Sequence, residues 1–199
     1  EAMDFSRAGL ATMTDADGVV RWAPHNLVPY SEDFTSWTPS NTTITDGQTG
    51  PTGLPDATLL TSTSTSSGIT SANVGTGSGL HTLKFGAKYV DHTWLRIIYS
   101  NVSSWINLST MAVGSNVNHN AVRFTVDADG WYIIEIDTLS LVNSGVNYIL
   151  ADGDGSTAET SGESFLVRHP HTYRSDLGGM SEVPIGERTA DSLTYVRTA

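Results

Sequence analysis

No cysteine occurs in the chain, which excludes disulfides and thiolate metal sites, leaves the redox compartment undetermined, and rests stability on packing and any bound ion. Positive charge is scarce as well. Lys and Arg number 10 against 21 Asp and Glu, for a formal net charge of -11. No basic cluster breaks the imbalance, and a surface of that sign repels phosphate backbones, so no nucleic-acid partner is expected. The longest apolar runs are only a few residues, far from the roughly 20 that a membrane-spanning helix needs. The N-terminus also lacks a charged-then-apolar leader, and no membrane insertion is expected.

Charged residues make up only 16% while Ser, Thr, Asn and Gly abound, a balance that favours strands and turns over long surface helices. An all-β chain of 199 residues fits a β-sandwich of two antiparallel sheets around one principal core, with short extensions. The chain opens on Glu1 and closes on TYVRTA, and reads as a segment of something longer.

Residues 1–25 form an N-terminal arm in this reading, with a small hairpin about the DADG turn before VVRW. The main module spans 26–170. Its Thr-, Gly- and Pro-rich part, Pro39 to Gly79, contains a TSTSTSSGITSANVGTGSG portion too polar to fill a core continuously, and predicts edge strands and long loops. Beyond it, Leu83, Phe85 and Ala87 alternate with Lys84, Gly86 and Lys88, the pattern of a half-exposed strand. Leu95, Ile97 and Tyr99 then alternate with Trp94, Arg96 and Ile98, and Ile106 and Leu108 with Trp105 and Asn107. Asp127 to Gly130 predicts a hairpin turn, with Gly130 free to take positive φ. Val146 to Ala151 and Glu163 to Arg168 are the last two strands. Residues 171–199 lack a clear period and read as a linker or extended C-terminal tail. The expected core is Leu83, Phe85, Leu95, Ile97, Tyr99, Ile106, Leu108, Phe124, Tyr132, Ile134, Ile149 and Phe165.

Trp94, Arg96, Trp105 and Asn107 share the non-core parity of adjacent strands. Sugars want that combination, an aromatic plate for the C–H face of a pyranose and planar polar groups for its hydroxyls. Two other uses stay open. Large aromatics are usually mostly buried, so either Trp can cap the sandwich edge or pack under a long loop, and an exposed aromatic face also suits a protein interface. Arg168 and Arg123 are candidates to join the set, because a carboxylated or sulfated glycan welcomes guanidinium groups against an acidic background. Arg96 is the first choice of the three, and Arg123 is more simply a surface charge.

Catalytic chemistry finds little to work with. Glu135 and Asp137 are read as facing opposite sides of a strand, which leaves no acid/base pair. The HPH at His169 to His171 has no third ligand spaced with it. Three D-x-D-G sequences, at Asp15, Asp127 and Asp152, begin like calcium loops but fail the EF-hand spacing, and plain turns are expected there.

In this order, NLVPYSEDFTSWT, AKYVDHTWLRI, INLST, DGWYIIEI and ADGDGSTAETSG resemble a module repeated in structural proteins of tailed bacteriophages, itself similar to the jelly-roll carbohydrate-binding modules of polysaccharide-degrading enzymes. The likeness covers about Asn26 to Pro170, and the flanking DFSRAGLATMTDADGVV and YRSDLGGM also resemble phage segments. One strand departs: near FLVRHP such modules often carry an aromatic and a Gln, where this chain has Leu166, Arg168 and His169. The resemblance implies a jelly roll that is not an enzyme and carries no cofactor. A structural calcium near Glu32 and Asp33 is an option it raises without deciding. It implies a virion component on the particle surface, a fibre or spike module that binds host surface polysaccharide and assembles with other virion proteins and with copies of itself. The alternative it leaves is a head decoration, spike base or fibre-joining domain whose aromatic face meets protein; the two long flanks favour that use.

Overall fold

Leu95, Ile97 and Tyr99 are fully buried while Trp94, Arg96 and Ile98 between them are half-exposed, the period-two signature of a strand with one face on a core. The same alternation shapes a computed structural model that describes residues 2–8, 12–14, 18, 20–22, 26–75, 77–156, 160–177 and 190–196. Its strands are β1 (Ala2–Ala8), β2 (Thr12–Thr14), β3 (Val20–Trp22), β4 (Thr38–Ser40), β5 (Thr42–Gln48), β6 (Ala57–Ser62), β7 (Gly68–Thr70) and β8 (Gly77–Tyr89). They continue as β9 (Trp94–Tyr99), β10 (Val102–Asn107), β11 (Ala112–Val117), β12 (Ala121–Val126), β13 (Tyr132–Leu141), β14 (Asn147–Ala151), β15 (Ser164–Arg174) and β16 (Ala190–Val196). Among the described residues no helix is long and apolar enough to cross a membrane.

Two six-stranded antiparallel sheets form a sandwich, one ordered β11-β10-β9-β14-β7-β4 and the other β12-β13-β8-β15-β6-β5. The pairings nest: β6 with β15, β7 with β14, β8 with β13, and β9 with β10. Successive pairs alternate between the sheets, so the chain is one long antiparallel hairpin rolled over itself, which is a jelly roll. β4, β5, β11 and β12 widen the sheets at their edges. Ile69, Leu95, Ile97, Ile106, Tyr148 and Leu150 of the first sheet meet Leu60, Leu83, Phe85, Ile134, Ile136, Phe165 and Val167 of the second in one core, with the Phe85 and Tyr148 rings 5.0 Å apart.

Two core expectations change. Ile149 turns away from the core, because Tyr148 and Leu150 on either side of it point inward, and Tyr132 is only half-buried; Phe124, on the edge strand β12, is partly buried and packs against the core as expected. The polar stretch from Pro39 to Gly79 supplies the edge strands β4 and β5, but also the internal strands β6 and β7 and the core residues Leu60, Ile69 and Val74. Phe34 and Trp37 join that core from a short 3-10 turn, with Trp37 stacked on Tyr148 at 5.6 Å.

β15 runs through Pro170 to Arg174. Its register against β8 shifts between Arg168 and His171, with His169 at φ 42°. A bulge is where a strand can seat a residue that has no N–H to donate. Buried Asn26 ties the start of the sandwich to this point: its Oδ1 accepts from Val28 N and Thr172 N, and its Nδ2 donates to Pro170 O. The hairpin turn at Asp127 to Gly130 forms as expected, with Asp129 and Gly130 at positive φ. β2 pairs with β3, and β1 pairs with β16 along seven residues each; Asp15 and residues 178–189 lie outside the described residues.

Candidate functional site

The outer face of the first sheet is organised in rows that run across the strands. One row reads Trp105, Arg96, Ile149, Gly68, Ser40, from β10 through β9, β14 and β7 to β4. The row beside it reads Ser103, Ile98, Asn147, Thr70, Thr38. Asn107 and Trp94 face each other one step further along β10 and β9.

A groove of about 290 Å³ lies over the middle of these rows, lined by Ser40, Ser66, Ser67, Gly68, Thr70, Arg96, Asn147 and Ile149, with Ile69 beneath. Gly68 makes its floor low: a Cβ there would stand 2.6 Å from Tyr148 O and 3.2 Å from Ile149 Cα, so no larger residue fits without moving the neighbouring strand. Its polar rim is held in place. Thr70 Oγ1 donates to Asn147 Oδ1, Asn147 Nδ2 donates to Gly145 O at 3.2 Å, and Ser67 Oγ bonds the carbonyls of Asn41 and Ser64. Side chains fixed in this way lose little entropy when they meet a ligand.

Arg96 closes one end. Its guanidinium carbon lies 5.0 Å from the Trp105 ring centroid, and its Nε and Nη2 donate to Ser103 Oγ at 3.3 and 3.1 Å. Trp105 is 8% exposed, and its indole N–H donates to Ser156 O at 2.8 Å. The loop after β14 therefore lies against this corner. It is fixed further by Asp154, whose Oδ2 accepts from Ser115 N and Oγ. Trp94 packs beside the same loop, since a Cβ on Gly114 would be 2.4 Å from Asp154 Oδ1 and 3.0 Å from Trp94 Cζ3. Asn107 spends its Oδ1 on the following turn, accepting from Ser109 N, Ser109 Oγ and Thr110 N.

Of the five residues singled out from sequence, Trp94, Arg96, Trp105 and Asn107 share one face. Arg168 belongs to the other sheet, on its outer side. There it donates to Asp56 Oδ2 at 2.9 Å and Asp127 Oδ2 at 3.3 Å, lies 5.8 Å over the Trp131 ring, and covers Gly86 so closely that a Cβ would be 2.7 Å from Arg168 Cγ. Glu135 and Asp137 share a face rather than opposing one another, as residues two apart on a strand must. Arg123 bonds both carboxylates, and Lys84 lies 3.7 Å from Glu135. Asp33 gives both oxygens to Thr35 and Ser36, which hold its carboxyl below the usual carboxylate range. Among the described residues no three His, Asp or Glu side chains are grouped to hold an ion.

Ser40, Gly68, Thr70 and Asn147 escaped the sequence reading. The first three sit in a stretch whose composition suggested loops, and only the pairing of β7 with β14 brings them to Arg96.

No protein-family model and no curated protein matches the chain. Among solved structures it is similar to a variant of a family 29 carbohydrate-binding module, at 9% identity and TM-score 0.39 over 86% of this chain and 92% of that one. Another solved structure of a family 29 module variant, in complex with cellulohexaose, matches at 9% identity and TM-score 0.39 over 83% of this chain and 92% of that one.

Proposed function

We propose that this chain is a non-catalytic glycan-binding module and that the groove between Ser40 and Arg96 is its site. One observation carries the proposal: across four neighbouring strands, about 14 Å at the usual strand spacing, fixed hydroxyl, amide and guanidinium groups surround an apolar floor, and no carboxylate is among the described residues that line it. Hydroxyl-rich ligands need donors and acceptors that are already in place, together with a non-polar surface for their C–H faces. In this reading Trp105 is the support under Arg96, and Trp94 is the shoulder of the site.

The ordered segments that resemble phage modules support a place on a virion surface, in a fibre or spike, with host polysaccharide as ligand. Weak single sites there gain avidity from several copies, so self-association belongs to the proposal. Retention on a panel of immobilised bacterial surface polysaccharides tests it. At least one polysaccharide should retain the chain, and Thr70→Ala with Asn147→Ala should release it. A chain retained by none, when displayed in several copies, overturns the reading.

A second use, as a structural virion protein that meets protein partners, is favoured by the pairing of β1 with β16. That pairing joins both flanks into one ribbon. Locating the chain on an assembled particle separates the two uses.

A further inference from the structure

Arg123 bonds Asp137 and Glu135, Arg168 bonds Asp56 and Asp127, and Arg174 bonds Asp176. Arg96 alone among the arginines with described side chains has no carboxylate partner. Its contacts are the neutral Ser103 hydroxyl and the Trp105 ring, and its Nη1 bonds no described residue. In a chain of net charge -11, an arginine left unpaired is a departure from the local rule. Among the described residues it is also the one charged group lining the groove.

We infer that the groove selects sugars that bear an anionic group, a carboxylate or a sulfate, and that Arg96 is the residue that reads the charge. The inference rests on the glycan-binding reading above and narrows its ligand class. A guanidinium fixed in orientation by Ser103 and Trp105 offers its remaining N–H edge to a planar or tetrahedral anion, and charge-assisted bonds of this kind are about twice as strong as neutral ones. The rest of the groove supplies the neutral contacts that distinguish a sugar from a bare ion. Because the chain as a whole carries a net charge of -11, long-range repulsion works against an anionic ligand until salt screens it. Raising ionic strength from low values should therefore weaken binding less than a simple ion pair would predict.

The test uses the full chain labelled with ¹⁵N and follows the Arg96 Nε–H and Trp105 indole N–H signals during titration. The probes are methyl glucuronoside, glucose 6-sulfate, neutral methyl glucoside and sodium sulfate. One or both anionic sugars should shift the two signals at concentrations at least tenfold below the neutral glucoside, and below sodium sulfate. Which of the two acts first assigns carboxylate or sulfate. Arg96→Gln should erase the preference, and Arg96→Lys should restore part of it, with the backbone amide spectrum of each variant confirming the fold. Equal curves for charged and neutral sugars overturn the inference while leaving glycan binding in place. Equal curves for sodium sulfate and the anionic sugars overturn it by showing a bare anion site. If no sugar shifts either signal, the inference is overturned; retention on the polysaccharide panel then decides separately whether the glycan reading falls with it.

Discussion

Arg96 rests on Trp105 while Trp105 is itself tied by its indole N–H to the carbonyl of Ser156. The loop after β14, the indole and the guanidinium thus form a stack in which each member sets the position of the next. A cation held over an indole face gains from about 0.5 to 2 kcal/mol depending on exposure, enough to favour one orientation for the arginine that lines the groove.

Trp105→Ala should lower unfolding stability by about 3 kcal/mol, since it removes a nearly buried indole. Trp105→Phe should cost only about 1 kcal/mol, the share of one hydrogen bond. Urea denaturation measures both. Glycan retention should follow the same order, because Phe still lies under Arg96. Equal stability in wild type and the Ala variant would mean that the loop does not close on this corner.

Arg168→Met should destabilise the fold by about 2 to 3 kcal/mol, because Asp56 and Asp127 lose the guanidinium between them in a partly buried site. Retention on polysaccharide should not change, since Arg168 lies across the sandwich from the groove. A variant that unfolds normally but loses retention would put the ligand on the second sheet. Chemical denaturation beside the retention assay gives both answers.

Acid should weaken the fold through its histidines. Burial is the first cause lowering His81, His119, His169 and His171 below their ordinary value, in the last case to about 4. An unfolded chain takes up these protons near 6.5 while the folded chain does not, so stability is full above that pH and falls as pH drops from about 6.5 through 4. His119 shows the geometry behind this: its Nε2 meets Tyr99 O at 3.1 Å and its Nδ1 meets Ser104 Oγ at 2.7 Å, as a neutral ring that donates once and accepts once. Melting temperature should therefore decline between pH 7.5 and 4.5, and His171→Gln should flatten the lower part of that decline. A flat profile for wild type would show these rings to be solvated.

Local pattern carried a good part of the fold. Leu83 to Ala87 and Leu95 to Tyr99 alternate cleanly, and Asp127 to Gly130 has the residues its backbone angles require, so those strands and that hairpin were legible. Tyr148-Ile149-Leu150 was not, because three apolar residues in a row hide which parity faces the core. Arg168 was misplaced for a different reason: Asp56 and Asp127 stand 112 and 41 residues away, and no local pattern announces a partner at that distance. The groove shows the same limit. Arg96 was visible as an outward cation, but Ser40, Gly68, Thr70 and Asn147 become its neighbours only through strand order.

The nested pairing also sets a schedule for folding. β9 and β10 are joined by a short turn and can pair almost at once, whereas β6 must wait for β15, about a hundred residues later. Contacts so distant in sequence slow folding, because the chain's freedom is lost before they can form. During synthesis from the N-terminus, β6 and β8 each lack a neighbour until β15 has been made, and unpaired edges of that kind invite association with other chains. A chain cut before Ser164 should therefore aggregate rather than persist as a smaller sandwich.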